Sequence, residues 1–374
     1  MKRGEILSAH QTRMQTETTT MKSNPTSRST PELPPAVAAF EAAATGPEHP
    51  ARTWEKLDSM LHIAALMEDI LLHPQQDPVE RTESLFRFLA EKMCRAADMA
   101  AEFAPVPEIS SDILSGEEKT KDLFERAWTV YSNETYDHSV SLVEDRLRQS
   151  GFGEDFLKGR TCFDGGCGTG RLAVALARMG AGRVVAADVG SASLEFFRRQ
   201  IARYGLHAVE VVEMDVTDLG AFDSEQFDFV ASNGVLHHTP RCLPGLDDHY
   251  RLVRPGGFLW LYLYGAGGFY WAVYDRMRGL LADVSPERFC AHMRLRGVRE
   301  GMTYTMLDNF FAPREYFLSS EILSRLRKLH PLEWRHQRGP SIFDDPSVYT
   351  GEKYGKYILG PEGEVRLVIR KMLS

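Results

Sequence analysis

The sequence is short of what would tie it to a membrane, a metal or a nucleic acid. No apolar run approaches the roughly 18 residues of a membrane-spanning helix, and no apolar signal-peptide core opens the chain. A soluble, cytoplasmic protein with no membrane partner is expected. Five cysteines, Cys94, Cys162, Cys167, Cys242 and Cys290, form no C-x-x-C pair. Neither a disulfide framework nor a metal site is therefore expected, and Cys162 and Cys167 read as small apolar residues. A formal charge of −8 opposes the phosphate neutralisation on which free nucleic-acid binders depend, so no nucleic-acid partner is favoured. The 374 residues suffice for one α/β domain and an accessory piece.

Glycine, by contrast, is concentrated in one place. Thr161 to Arg171 reads Thr-Cys-Phe-Asp-Gly-Gly-Cys-Gly-Thr-Gly-Arg. A short β-type run ends in Asp164 and enters a loop with glycines at 165, 166, 168 and 170, and a helix follows from Leu172 to Met179. Such a turn lets a ligand approach backbone at a helix N-terminus, where amides carry partial positive charge. A dinucleotide fingerprint would want a third glycine where Arg171 stands, and a phosphate loop would want Gly-Lys-Ser/Thr. Asp164 would repel a pyrophosphate and suits a ligand carrying a cationic amine.

In order of acid, glycine spacing and flanking elements, this stretch resembles the first motif of class I S-adenosylmethionine-dependent methyltransferases, specifically the small-molecule type. The rest of the chain extends the resemblance. Arg183 to Ala187 is a β-branched run ending in Asp188-Val189; an acid there can accept from both hydroxyls of a ribose. Ser191 and Ser193 are expected to cap the next helix, Ala192 to Tyr204, which stops at Gly205. A third strand, Val209 to Met214, ends in Asp215-Val216, positions that the resemblance assigns to the adenine amine and ring. A fourth, Phe227 to Ser232, leads into Asn233-Gly234-Val-Leu-His237-His238, which resembles the loop beneath the methionine part of the cofactor. Arg251 to Gly257 then turns into a fifth strand, Phe258 to Tyr264.

The resemblance implies an α/β, Rossmann-like sheet of seven strands in the order 3-2-1-4-5-7-6 with the last strand antiparallel. Leu332 to Arg338 and Glu364 to Met372 are the expected sixth and seventh strands. It implies S-adenosylmethionine as cofactor, bound through Asp164, Gly165, Gly166, Gly168, Gly170, Asp188, Val189, Asp215, Val216, Asn233 and Gly234. The implied reaction is methyl transfer to a small-molecule acceptor, with an anionic compound of secondary metabolism as one candidate. An RNA methyltransferase, or a protein that binds the cofactor without transferring methyl, are the alternatives.

Outside that core, residues 1–48 are rich in Thr, Ser, Pro and charge and are expected to be a disordered tail. Residues 49–110 predict a helical hairpin. Its first helix, Thr53 to His73, carries the stripe Trp54, Leu57, Leu61, Ala64, Ile70 and Leu71. Its second, Val79 to Phe103, carries Leu85, Phe86, Leu89, Met93, Ala96 and Ala97. The hairpin is read as a buttress, a homodimer surface or a lid. Residues 111–374 form the expected methyltransferase domain. Ser115 and Glu118 make a capping box for a helix to about Tyr131, and an insertion at about 265–330 is expected to act as lid or acceptor pocket. That insertion is rich in aromatics and in arginine, including Arg288, Arg294, Arg296, Arg299, Arg314, Arg325 and Arg327. Candidate acceptor-pocket residues are Tyr131, Tyr136, His138, Tyr262, Tyr264, Asp308, Asn309 and Arg314. If the acceptor must lose a proton, His237 or His238 is the expected general base, because imidazole titrates near neutrality; being adjacent, at most one is expected to face the pocket.

Overall fold

The computed structural model describes residues 30–46, 49–102 and 132–373. The helix expected from Ser115 to Tyr131 lies outside the described residues, as does most of the expected tail. Part of that tail is helix, however: α1 spans Pro35–Ala44 and buries Val37 and Phe40. The reading of 1–48 as wholly disordered is thereby corrected. The stretch Pro-Ala-Val-Ala-Ala-Phe is too short to show a helical period, yet its two large apolar residues lie on one face and Pro35 suits a first helical position.

Two long helices follow, α2 (Pro50–Leu72) and α3 (Pro78–Glu102). Helix α4 (Asn133–Gln149) is capped by Ser132, whose hydroxyl accepts the Thr135 amide. The sheet then begins with β1 (Thr161–Gly165), α5 (Arg171–Arg178), β2 (Arg183–Asp188), α6 (Ser191–Tyr204), β3 (Val209–Glu213) and β4 (Phe227–Asn233). It continues through α7 (Cys242–Leu252) and β5 (Val253–Leu263). An excursion of three helices, α8 (Phe269–Leu280), α9 (Pro286–Leu295) and α10 (Glu300–Phe311), precedes α11 (Ser319–Leu329), β6 (Leu332–His336) and β7 (Val365–Lys371).

The strand order is β3-β2-β1-β4-β5-β7-β6, as expected. Strands β1 to β5 pair in parallel, and β7 runs antiparallel to both β5 and β6. The chain proceeds outward from β1 in both directions, so the crevice above the carboxyl ends of β1 and β4 is a topological switch point, where ligands of open α/β sheets bind.

Each face of the sheet has its own core. Helices α4, α5 and α6 pack Tyr136, Val140, Leu176 and Phe197 against Cys162, Phe229 and Trp260. On the other face α7 and α11 pack Leu246, Tyr250, Ile322 and Leu326 against Phe163, Val230 and Leu259. A third core is largely helical and joins the two regions read separately from sequence. Phe40, Met60, Ile63, Phe86 and Leu89 of α1–α3 share it with Phe269, Val273, Phe289, Met306 and Phe310 of the excursion. The hairpin and the excursion are thus one helical body over the end of the sheet, further tied by Lys56 to Asp283 at 3.1 Å and Arg296 to Asp58 at 2.8 Å. The stripe offered as a dimer surface is largely consumed inside the chain. Trp54 is the exception: it is 49% exposed and lies edge-on to the His292 ring.

Phe86 is fully buried and meets Phe40 edge-to-face at 5.5 Å. Phe86→Ala should destabilise the body by about 3–5 kcal/mol, and hydrogen exchange should show protection lost in α2 and α8 together. Retention of α8 protection would contradict a shared core.

Candidate active site

The glycine loop is shaped first by its neighbours in the protein. Gly166, Gly168 and Gly170 all take positive φ, 79°, 51° and 79°, which L-residues rarely adopt. A Cβ on Gly166 would lie 2.3 Å from Val235, one on Gly170 2.1 Å from the Phe197 ring, and one on Gly165 2.0 Å from His249 Nε2. The loop is therefore wedged between the turn after β4, α6 and α7. Most of its amides are satisfied internally: Gly166 and Cys167 donate to the Ala187 carbonyl, and Gly170 donates to Cys167.

Asp164 is 2% exposed and accepts the Ala173 amide at 3.1 Å. The start of α5 thus gives one of its amides, that of Ala173, to the protein's own buried carboxyl group, which differs from the expected presentation of unpaired amides to a ligand. Burial raises that carboxyl to about 7.

The remaining expected cofactor residues form a row along neighbouring strand ends. Asp188 ends β2 and accepts Gly168 N–H and Gly190 N–H, both at 2.8 Å, one on each oxygen. Gly190, not a serine, precedes the first turn of α6; the capping expected from Ser191 and Ser193 is taken up in part by Asp188. Val189 is exposed. Beyond β3, Asp215 is exposed and accepts the Thr217 amide at 2.8 Å, while Val216 is buried. Asn233 ends β4 and accepts from Trp260 Nε1 at 3.4 Å. Gly234 has φ 80° and donates to the Tyr262 carbonyl at 3.0 Å. From β3 to β4 the row spans three inter-strand spacings, about 14 Å, which is of the order of a nucleoside joined to an amino acid. Acids at the β2 and β3 ends, with a buried carboxyl group at the helix start, fit S-adenosylmethionine.

Past β4 the chain forms one 3-10 turn, Leu236–His238, and here an aromatic and polar wall assembles. The His237 ring lies 3.8 Å from Tyr264, 4.1 Å from His238 and 6.1 Å from Tyr262, centroid to centroid. It is fully buried, and among the described residues neither ring nitrogen has a hydrogen-bond partner. Burial, helped by neighbouring His238, holds it well below the usual imidazole range. His238 Nδ1 meets the Pro313 carbonyl at 2.7 Å; because a carbonyl only accepts, Nδ1 carries the proton. Its Nε2 lies 3.4 Å from Asp308 Oδ1, and Asp308 Oδ2 accepts the Tyr264 hydroxyl at 2.5 Å. Burial lowers His238, with Asp308 opposing. Tyr264 stacks on Trp271 at 4.1 Å.

Tyr262, Tyr264, Asp308, His237 and His238 are therefore brought together. Arg314 stands behind them, fully buried, bonded to Asp275 and to the Asn309 carbonyl, and lying over Trp271. Asn309 points elsewhere, its amide donating to the Tyr270 hydroxyl at 3.1 Å. Tyr136 is not a pocket residue either: it is fully buried and its hydroxyl donates to the Thr169 carbonyl at 2.8 Å, bracing the glycine loop. His138 is exposed on α4. Tyr131 lies outside the described residues. Of the arginines expected to draw an anion to the excursion, Arg296, Arg314 and Arg325 are paired with Asp58, Asp275 and Asp247. Two open grooves on the helical body, one between α2 and α3 at Leu66, Arg81 and Phe88 and one between α1 and α3 at Ala36 and Ala90, lie apart from this wall and lack its convergent buried groups.

Glu364 was missed by sequence reading. It accepts Gly265 N–H at 2.9 Å and Trp271 Nε1–H at 2.8 Å, fixing the start of the excursion to β7. Burial raises its carboxyl to about 7, against the pull of those bonds. A carboxyl whose folded value exceeds its unfolded one holds its proton more tightly when folded, so stability falls as pH rises from about 4.5 to 7. Glu364→Gln should flatten that slope in urea titrations at several pH values. It should also cost about 1–3 kcal/mol at acid pH, because an amide cannot accept both bonds; an unchanged slope would contradict the assignment.

The profile of a family described as "Methyltransferase domain" matches residues 163–261, the segment from β1 to β5. A demethylmenaquinone methyltransferase of Clavibacter sepedonicus is 41% identical over 101 residues, 27% of this chain and 40% of that protein. A ubiquinone biosynthesis O-methyltransferase of Alkalilimnicola ehrlichii is 37% identical over 107 residues, again 27% and 40%. The chain thus spans about two fifths of the length of these curated relatives. Among solved structures, an S-adenosylmethionine-dependent methyltransferase from Mesorhizobium loti aligns over 29% of this chain and 48% of its own, at 21% identity and a TM-score of 0.27. Motif, strand order and matched segment agree: the chain carries a class I S-adenosylmethionine-dependent methyltransferase domain.

Proposed function

We propose that the protein transfers the methyl group of S-adenosylmethionine to a small, planar, ring-bearing acceptor. The observation that carries this reading is the pairing of two features on one sheet edge: the row Asp215, Asp188, Asn233 and the adjoining wall Tyr262, Tyr264, His237. Relatives named for demethylmenaquinone and for O-methylation in ubiquinone biosynthesis support a ring acceptor. Secondary metabolism, a homodimer and a cytoplasmic setting remain expectations from sequence.

Asp188 would hold the ribose, since each carboxylate oxygen accepts more than one hydrogen bond. Val189, Asp215 and Val216 would border the adenine, and Gly166 to Gly170 with Asn233 and Gly234 the amino-acid end. When bound, the cofactor supplies an electrophilic methyl on sulfonium. The protein's task is then orientation, worth on the order of 7–11 kcal/mol when donor and acceptor are held in line. The aromatic faces of Tyr262 and Tyr264 would align a planar ring, and the helical body covering them would exclude water.

Where the acceptor must lose a proton, the His238–Asp308 pair would receive it. Nδ1 of His238 is fixed as a donor by Pro313, which leaves Nε2 basic, and Asp308 stabilises the imidazolium that results. Among the described residues His237 has no such partner, and its depressed affinity for protons makes it the weaker base.

Asp188→Ala should lower affinity for S-adenosylhomocysteine by at least about tenfold in calorimetry while the fold persists; near-unchanged affinity would sink the cofactor assignment. His238→Ala and Asp308→Asn should leave that affinity intact. Each should slow labelled methyl transfer to a hydroxylated aromatic by about 10²–10⁴-fold and remove the rise of rate with pH. Full activity across pH in both would remove the general-base role.

A further inference from the structure

We infer that the guanidinium groups of Arg366 and Arg146 form a subsite for a carboxylate carried by the methyl acceptor, beside Tyr262; this rests on the methyl-transfer reading above. Arg366 on β7 is the register partner of Tyr262 on β5, which in turn pairs with Asn233 on β4. The Arg366 guanidinium lies 3.9 Å over the Tyr262 ring. A guanidinium carries its N–H donors in its own plane, where a planar carboxylate can be met by a fork of donors.

The charges around it do not balance. Asp344 Oδ1 lies 3.2 Å from Arg146 Nε and 3.5 Å from Arg366 Nη1, so one carboxylate serves two guanidinium groups. Asp344 is 1% exposed and the Arg366 side chain 7%. Despite this burial, Nε of Arg366 has no hydrogen-bond partner among the described residues. A buried, unsatisfied donor costs about 1–3 kcal/mol, more when charged. Arg146 is disfavoured as a cation by burial and then by Arg366; Asp344 opposes both, and Arg171 adds a smaller effect in the same direction as burial. The second nearby acid, Glu364, is spent on Gly265 and Trp271 and is raised to about 7, so at neutral pH it offers only part of a charge. An incoming carboxylate would supply both the missing charge and the missing acceptor.

The cofactor carries a carboxylate of its own, but the cofactor row ends at β4. Arg366 lies two strands farther, about 10 Å along the sheet, on the side of the aromatic wall. The acceptor is the occupant that this placement favours.

Calorimetry on the full chain saturated with S-adenosylhomocysteine, titrated with benzoate, 4-hydroxybenzoate, 3,4-dihydroxybenzoate and the methyl ester of each, tests this. At least one acid should bind about tenfold or more tighter than its ester. Arg366→Gln should abolish that preference and Arg146→Gln should reduce it, with S-adenosylhomocysteine affinity preserved in both. Should Arg366→Gln fail to melt as a folded protein, the partly exposed Arg146 position carries the test, together with Arg366→Lys, which keeps the charge but not the fork. Acids that bind no tighter than their esters, or no binding by any acid, overturn the subsite. So does loss of S-adenosylhomocysteine affinity in the arginine variants, which assigns the guanidinium groups to the cofactor's carboxylate. Failure of the wild type to bind S-adenosylhomocysteine overturns the methyl-transfer reading as well, and is scored separately because it precedes the acid titrations.

Discussion

The rest of the site depends on how closely the chain from Gly165 to Gly170 is packed. Three side chains from separate parts of the fold, His249 of α7, Phe197 of α6 and Val235 in the turn after β4, approach the loop so closely that no Cβ fits at Gly165, Gly166 or Gly170. Asp188 then ties the loop to the end of β2 by accepting the Gly168 amide, and Asp164 fastens the first turn of α5 beneath it. Loop, strand end and helix start are thereby held in one arrangement, and the polar groups at the β2 and β4 ends follow from it. The glycines here are packing residues at least as much as ligand contacts.

A second constraint acts at the other end of the edge. The chain leaves β5 at Gly265 and builds three helices before returning, and these would have no core of their own without α1–α3. The shared cluster of Phe40, Phe86, Phe269 and Phe310 supplies it. Glu364 closes the joint by taking the Gly265 amide and the Trp271 indole. The aromatic wall is thus formed by residues near β5, the 3-10 turn and the excursion, held against one another by a body whose two halves are more than 150 residues apart in sequence.

What sequence could reveal followed from how local each feature is. The acid at the end of β2, the loop glycines and Asn233 announce themselves because each is set by its immediate neighbours, and all reach the expected strand ends. Helix α1 did not, since ten residues rich in alanine show no period. Trp54 was placed on a buried stripe but lies at its edge. Tyr136 and His138 are two residues apart, and only the fold reveals that one braces Thr169 while the other faces solvent. Arg366, Arg146 and Asp344 meet only because β7 returns antiparallel beside β5 and α4 crosses the same face; no spacing in the chain encodes that meeting. Glu364 was legible only as the start of a strand.

A crystal structure of the full chain with S-adenosylhomocysteine is the most direct measurement of the central claim. The ribose hydroxyls are expected on Asp188, the adenine beside Asp215 and Val216, and the sulfur above Gly166 to Gly170, facing Tyr262 and Tyr264. A ligand whose ribose lies away from Asp188, or whose sulfur faces away from that aromatic wall, would contradict it.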